Sequence, residues 1–311
     1  MIDWLLDPLS YDFFSRALAV TTVSAVVCAL LSCWLVLIGW ALMGDAVSHA
    51  VLPGVVLAYV LGAPFAIGAL VLALIAVALI GGLRDTTRLK EDTAIGVVFT
   101  SLFALGLVLV SVTPSQTDLS HILFGNLLGA SPRELVQVLV LAAIAVGLLL
   151  VRRRDLTLFA FDPTHAFAIG LSPRRLSALL LGLLAVTTVM ALQAVGVILV
   201  VALLIIPGAT AYLLTDSFGR MLVIAPATAG LSAVVGIYAS FYLDASPGGV
   251  VVLTMGLVFT LVYLFSPRHG LLRSRLASRA RRRARENGAA AASAAGGATA
   301  PGTSAPGGTR P

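Results

Sequence analysis

The sequence predicts an all-α protein, a polytopic transmembrane helix bundle of eight or nine spans, on three observations. Hydrophobic residues make up 59% of the 311-residue chain and charged residues 11%, with a mean hydropathy of +1.04, where a soluble domain carries about 25% charged residues. Apolar stretches recur from Ala17 to Phe265 with only short polar interruptions, and about 20 such residues cross the hydrocarbon as a helix. The basic residues are gathered in a few of those interruptions, the pattern of cytoplasmic loops. No soluble domain fits between the stretches.

Taken in order, the opening MIDWLLDPLSYDFF holds three Asp and no Lys or Arg before Arg16. That is the reverse of a cleavable signal peptide's basic start, so the segment is expected to be retained on the outer side. Hydropathy and turn residues then place spans at 17–43, 46–62, 65–83, 94–112, 135–151, 176–193, 195–214, 221–243 and 248–265. In the first, Cys28 and Cys33 lie about 140° apart around a helix, which suits packing better than a shared ligand or a disulfide. The stretch from Leu176 to Leu214 is 39 residues, too long for one crossing and barely long enough for two. A division at Gln193–Gly196 decides between eight spans and nine.

Arg84, Arg88 and Lys90 share one loop, Arg152, Arg153, Arg154, Arg174 and Arg175 another, and Arg220 lies in a third; under nine spans only Arg16 and Arg133 fall on the opposite side. The N-terminus is therefore expected outside and the C-terminus in the cytoplasm. The chain divides into a transmembrane unit, 1–267, and a tail, 268–311, first basic and then rich in Ala, Gly and Pro. With hardly any large apolar residue, that tail is expected to be disordered. Its arginine run reads as a stop signal at the cytoplasmic face rather than as a binder of anionic headgroups or ribosomal RNA, and no nucleic-acid partner is expected.

Asp45 and His49 are the only carboxylate and imidazole side chains between Arg16 and Arg84. A charge at bilayer depth costs roughly 2.5–3.5 kcal/mol on insertion scales, so such a pair points to function. They sit in GDAVSHAVLPG, Gly44 to Gly54, and a spacing of four puts both on one helix face. Carboxylate oxygen with imidazole nitrogen suits borderline divalent cations such as Zn(II), Mn(II) or Fe(II). Two ligands are too few for a closed site, whereas two copies meeting on a two-fold axis bring four together. Pro53 and Gly54 close the motif, and a broken helix at bilayer depth is tolerated where it lines a cavity or pathway. A metal pathway leads among the readings; a hydrogen-bonded clasp of Ser48, His49 and Asp45, and a proton relay, stay open beside it.

The loop RRRDLTLFAFDPTHAFAIGLSPRR, Arg152 to Arg175, carries an amphipathic patch of Phe159, Phe161, Phe167, Ile169 and Leu171 between Pro163 and Pro173. It reads as a short helix docking on a partner protein or, equally, lying against its own bundle; His165 there reads as a surface residue. In QAVGVILVVALLIIPGATAYLL, Gln193 is a rare polar group, and Pro207 with Gly208 should kink or interrupt the span. Gly125 and Gly129 have the spacing of close helix contact, and His121 reads as exposed or interfacial. There is no phosphate-binding G-x-x-x-x-G-K-[ST], Lys90 being the only lysine, and no H-E-x-x-H zinc-protease motif. Any ATP must be hydrolysed by another subunit.

GDAVSHAVLPG after a first long span, FDPTHAFAIGL, AVGVILVVALLIIPGATAYLL and GIYASFYLDASPGGVVVL together resemble the permease subunits of the zinc, manganese and iron(II) ABC importers, from about Phe13 to about Phe265. The resemblance implies the large-bundle fold of vitamin B12 and siderophore importers, a homodimer in a bacterial inner membrane, two cytoplasmic ABC ATPase subunits, and an extracytoplasmic metal-binding protein that delivers the ion. It puts the family's metal-contacting residues on Asp45 and His49. It puts the ATPase-coupling helix within Asp162 to Leu171, with Phe161, Asp162, Pro163, Ala166 and Gly170 as the segment to watch. No bound cofactor and no enzymatic activity are expected of this subunit. One departure is Gly39 and Trp40, where the family usually carries basic residues. The rival from another class is a proton-coupled secondary carrier with Asp45 and His49 as its proton-binding pair.

Overall fold

The computed structural model describes residues 7–113 and 131–266, and every regular element among them is helical. A 3-10 turn, Asp7–Ser10, leads into α1 (Asp12–Ile38), followed by α2 (Ala41–Ala50), α3 (Leu52–Leu61), α4 (Phe65–Thr86), α5 (Glu91–Val112) and α6 (Pro132–Val151). Then come α7 (Arg153–Phe161), α8 (Pro163–Ala168), α9 (Pro173–Val195), α10 (Val197–Leu214), α11 (Phe218–Leu243) and α12 (Pro247–Phe265). Counting α2 with α3 as one, nine stretches among the described residues are long and apolar enough to cross a membrane. Helices answer the bilayer's demand because each satisfies its backbone polar groups within itself.

Nine spans result because α9 and α10 are separated by one residue, Gly196, at φ 81° and ψ 166°, a conformation that side-chain-bearing residues rarely adopt. The helix ends elsewhere follow local chemistry. Gly39 (φ 93°) and Gly62 (φ 66°) terminate α1 and α3 in the left-handed region. At Ser131 a capping box opens α6, its hydroxyl accepting from Glu134 N–H at 3.2 Å while Glu134 Oε2 accepts from Ser131 N–H at 2.8 Å.

Most helix ends lie a few residues from the expected span limits, and two of the differences have a local cause. The first span ends at Ile38 rather than at 43, because the glycine turn at Gly39 outweighs the apolar residues that continue past it. The span expected as 46–62 begins at Ala41 and is two helices divided at Val51. Pro53 lies in the first turn of α3, where its missing N–H is not needed. Pro207 stays inside α10 and does not interrupt it.

The core is organised around α1, which packs on α6, α7, α9, α10 and α11 and fully buries Leu31, Trp34 and Leu35. Several crossings are set by glycine. A Cβ on Gly54 (α3) or on Gly68 (α4) would overlap the carbonyl oxygen of the other, so their backbones touch. At Gly208 of α10 the backbone N–H donates to Ser32 Oγ of α1 at 3.2 Å, and a Cβ there would strike Ser32. Cys28 and Cys33 are buried free thiols, Cys33 Sγ lying 3.6 Å from the Met221 carbonyl oxygen. The opening residues Met1 to Leu6, His121, Gly125, Gly129 and the tail from Arg268 onward lie outside the described residues.

Candidate metal site

α2 carries both Asp45 and His49, and its neighbours fix where they point. On one side Gly44 faces α10, where a Cβ would come within 2.7 Å of Leu204 Cδ1 and 3.2 Å of Leu204 Cβ. Leu204 thus presses on the α2 backbone one residue before Asp45. On the other side α5 supplies Phe99 and Phe103, whose ring centroids each lie 5.5 Å from the imidazole of His49, edge-on, and 5.9 Å from each other. The imidazole is wedged by that aromatic pair.

His49 Nε2 and Asp45 Oδ1 are 3.4 Å apart, longer than the usual 2.7–3.2 Å of a hydrogen bond. An ion bound to both at about 2.0–2.2 Å would subtend an angle of roughly 100–115° at that separation, close to tetrahedral. The two side chains remain 27% and 35% exposed in the single chain, although residues around them on α2, including Met43, Val47 and Ser48, are buried. Among the described residues no third His, Cys, Asp or Glu joins them. His49 Nδ1 is buried and finds no hydrogen-bond partner among the described residues, so Nε2 is the nitrogen available to a ligand.

The clasp reading fails on the direction of the bonds. Ser48 Oγ donates to the Asp45 carbonyl oxygen at 2.8 Å, within α2, and the His49–Asp45 contact is likewise within α2. None of these contacts ties α2 to another helix.

Trp40, which stands where a basic residue was expected, is buried, and the guanidinium of Arg84 lies 5.3 Å above its ring while holding Glu91 at 3.2 Å. A cation from α4 therefore covers the turn that leads into the motif. Neither this contact nor the Phe99–Phe103 wedge was read from the sequence. The four-residue spacing of the two phenylalanines marks a common helix face, but nothing local says that it faces His49.

The loop after α6 folds as two short helices rather than one. Asp162 joins them: its carboxylate accepts from His165 N–H at 2.9 Å and so caps α8, Pro163 fills the first turn, and Gly170 turns the chain at φ 89°. The amphipathic patch divides accordingly. Leu156, Phe159 and Ala166 are buried, Phe159 edge-on to Trp40 at 6.4 Å, whereas Phe161, Phe167 and Ile169 point outward. Phe161 also meets Phe218 edge-on at 6.4 Å. The segment is anchored on its own bundle and still presents three large apolar side chains.

Comparison with known proteins places the chain as a whole. The ABC 3 transport family matches residues 10–266. The manganese transport system membrane protein MntB of Synechocystis sp. is 49% identical over 269 residues, 86% of this chain and 88% of that one. The chelated iron transport system membrane protein YfeC of Yersinia pestis is 46% identical, covering 91% and 96%. Among solved structures, PsaBC from Streptococcus pneumoniae in complex with Fab superimposes with a TM-score of 0.79 at 36% identity over 88% of this chain and 100% of that one. An inward-facing metal-chelate type ABC transporter, 18% identical with a TM-score of 0.64 over 79% and 84%, shares the fold.

Proposed function

This chain belongs to the ABC 3 transport family, and we propose that it is the membrane-spanning permease subunit of an ATP-driven importer of divalent transition metal ions, Zn, Mn or Fe(II). In this reading two copies meet on a two-fold axis beside α2 and α5, and the ion passes between them. Each copy gives Asp45 Oδ1 and His49 Nε2, whose 3.4 Å separation on a part-open face is the observation that carries the proposal. One chain supplies half of a tetrahedral set, and the second completes it. The relatives' names, manganese and chelated iron transport system membrane proteins, support the cargo class. Family membership argues against the proton-coupled carrier.

An ion handed over by an extracytoplasmic binding protein sheds water as carboxylate oxygens and imidazole nitrogens replace it. The carboxylates offset its charge at a depth where water cannot. The aromatic wedge holds His49 at the angle the ion needs. On the cytoplasmic side the outward Phe161, Phe167 and Ile169 are the surface we assign to an ATPase subunit, with Asp162, Pro163, Ala166 and Gly170 shaping it. ATP hydrolysis belongs to that partner. Pro53, Gly54, Pro207 and Gly208 are assigned to the walls of the pathway, where glycine contacts let the helices approach. The distribution of Arg and Lys supports an outer N-terminus and a cytoplasmic C-terminus. The family match ends at residue 266, in line with a transport unit of 1–267.

The test is metal uptake into proteoliposomes holding the permease with its ATPase and delivery protein. Asp45→Ala and His49→Ala should each abolish uptake of radioactive manganese, iron(II) or zinc while the permease still elutes as a dimer. Uptake at the parental rate by both variants would remove the ligand assignment.

A further inference from the structure

We infer that the groove between α4 and α9 on the side of α7 and α8 is a binding site for an anionic phospholipid. The groove encloses about 840 Å³ between α4, from Leu74 to Arg84, and α9, from Arg174 to Gly182, with Trp40 and Phe159 at its floor. Ten residues of α4 span about 15 Å, half of a hydrocarbon core of about 30 Å. The depth is that of one leaflet. No lining residue is Asp45 or His49, although Pro163 of the segment assigned to the ATPase subunit borders the groove, and the inference rests on the proposed function for the name of the leaflet, the cytoplasmic one.

The walls are shaped for a flexible apolar chain. Gly81, Gly82 and Gly182 line the groove, and a Cβ on any of them would meet nothing within 4 Å. They differ in this from Gly44, Gly54, Gly68 and Gly208, each pressed by a neighbouring helix. Glycine weakens a helix relative to alanine, and no helix contact accounts for these three. Their effect is to keep a smooth channel open beside Leu74, Val77 and Leu181.

The mouth is polar. Among the described lining residues it carries two arginines, Arg84 and Arg174, and one carboxylate, Glu91, which binds Arg84. Arg174 is exposed in the first turn of α9, and no carboxylate of the described residues pairs with it. Ser177, one turn deeper, is 7% exposed and lines the groove. The first turn of α9 has no side-chain cap; Pro173 has no N–H and Leu176 N–H donates to the Ser172 carbonyl oxygen at 3.1 Å, which leaves the N–H groups of Arg174 and Arg175 for an acceptor. A phosphate on Arg174 with an oxygen on Ser177 Oγ engages both groups, and the acyl chain then follows the glycines. A zwitterionic headgroup brings its own cation against Arg84 and Arg174, so an anionic lipid is favoured.

The test is native mass spectrometry of the full-length permease, delipidated and titrated with phosphatidylglycerol or phosphatidylcholine of the same chain length, with and without the ATPase subunit. The parent should retain phosphatidylglycerol at least fivefold over phosphatidylcholine. Arg174→Ala should remove that preference, Gly182→Leu should reduce retention of both lipids about equally, and Arg175→Ala, outside the groove, should change neither. Equal retention of the two lipids by the parent, or an equal effect of Arg174→Ala and Arg175→Ala, overturns the site. So does displacement of the lipid by the ATPase subunit, which would assign the groove to protein contact. Because metal uptake is not the readout, failure here is separable from failure of the transport proposal.

Discussion

Gly44→Ala tests whether the contact between α2 and α10 sets the position of Asp45. The added Cβ would sit 2.7 Å from Leu204 Cδ1 and 3.2 Å from Leu204 Cβ. Leu204 is fully buried, so its side chain has little space in which to turn away. Forcing a methyl group into a packed contact costs about 1–3 kcal/mol, and the relief available is for α2 to move off α10, carrying Asp45 with it. Leu204→Ala alone should cost about 2–5 kcal/mol by opening a cavity. Together the two changes are complementary, the new methyl entering the space the leucine leaves. The double variant should then be less destabilised than the sum of the singles by about 1–2 kcal/mol. Thermal unfolding in detergent gives the stability terms, and uptake in proteoliposomes should fall in Gly44→Ala and recover in part in the double variant. Additive stabilities with parental uptake in Gly44→Ala would refute the claim that Leu204 positions the motif.

Two further outcomes are expected. Phe103→Ala removes one ring from the imidazole of His49, a contact worth about 0.5–1.5 kcal/mol, and should raise the KM for metal roughly two- to twelvefold with little change in maximal rate; an unchanged KM would mean that the ring does not hold the ligand. Asp162→Ala removes the cap on α8, worth about 0.5–2 kcal/mol locally, and should raise the ATP hydrolysed per ion transported while leaving the Tm of the bundle nearly constant. Parental stoichiometry would show that the cap is dispensable for coupling.

Hydropathy made eight or nine membrane-crossing helices legible because the bilayer imposes one length and one composition on every span, and Asp45 with His49 stood out against that apolar background; the choice of nine waited on the turn at Gly196. The places where the sequence misled are those decided by turn geometry or by partners distant in the chain. Ala41, Leu42 and Met43 read as a continuation of the first span, yet the left-handed Gly39 had already ended it. The division at Val51 has no breaker residue of its own, and Pro53 marks it only from two residues away. The loop patch read as a single face because periodicity cannot see that Asp162 splits it into two helices. Gly54 with Gly68, Gly208 with Ser32, and the phenylalanine wedge on His49 are interhelical matters, and one-dimensional spacing carries no information about which helix lies opposite.

Gly196 leaves a single peptide unit's worth of play between α9 and α10. Consecutive Cα atoms are held about 3.8 Å apart, so the adjoining ends of these two rods are hinged without slack. A tilt of α9 that starts beside α8 is handed on to α10 instead of being lost in a loop. Since α10 bears on Gly44 through Leu204, the chain contains a linkage from the end of α9 beside the exposed Phe161 and Phe167 to Asp45 on α2, assembled from stiff parts and a swivel too small to carry any side chain.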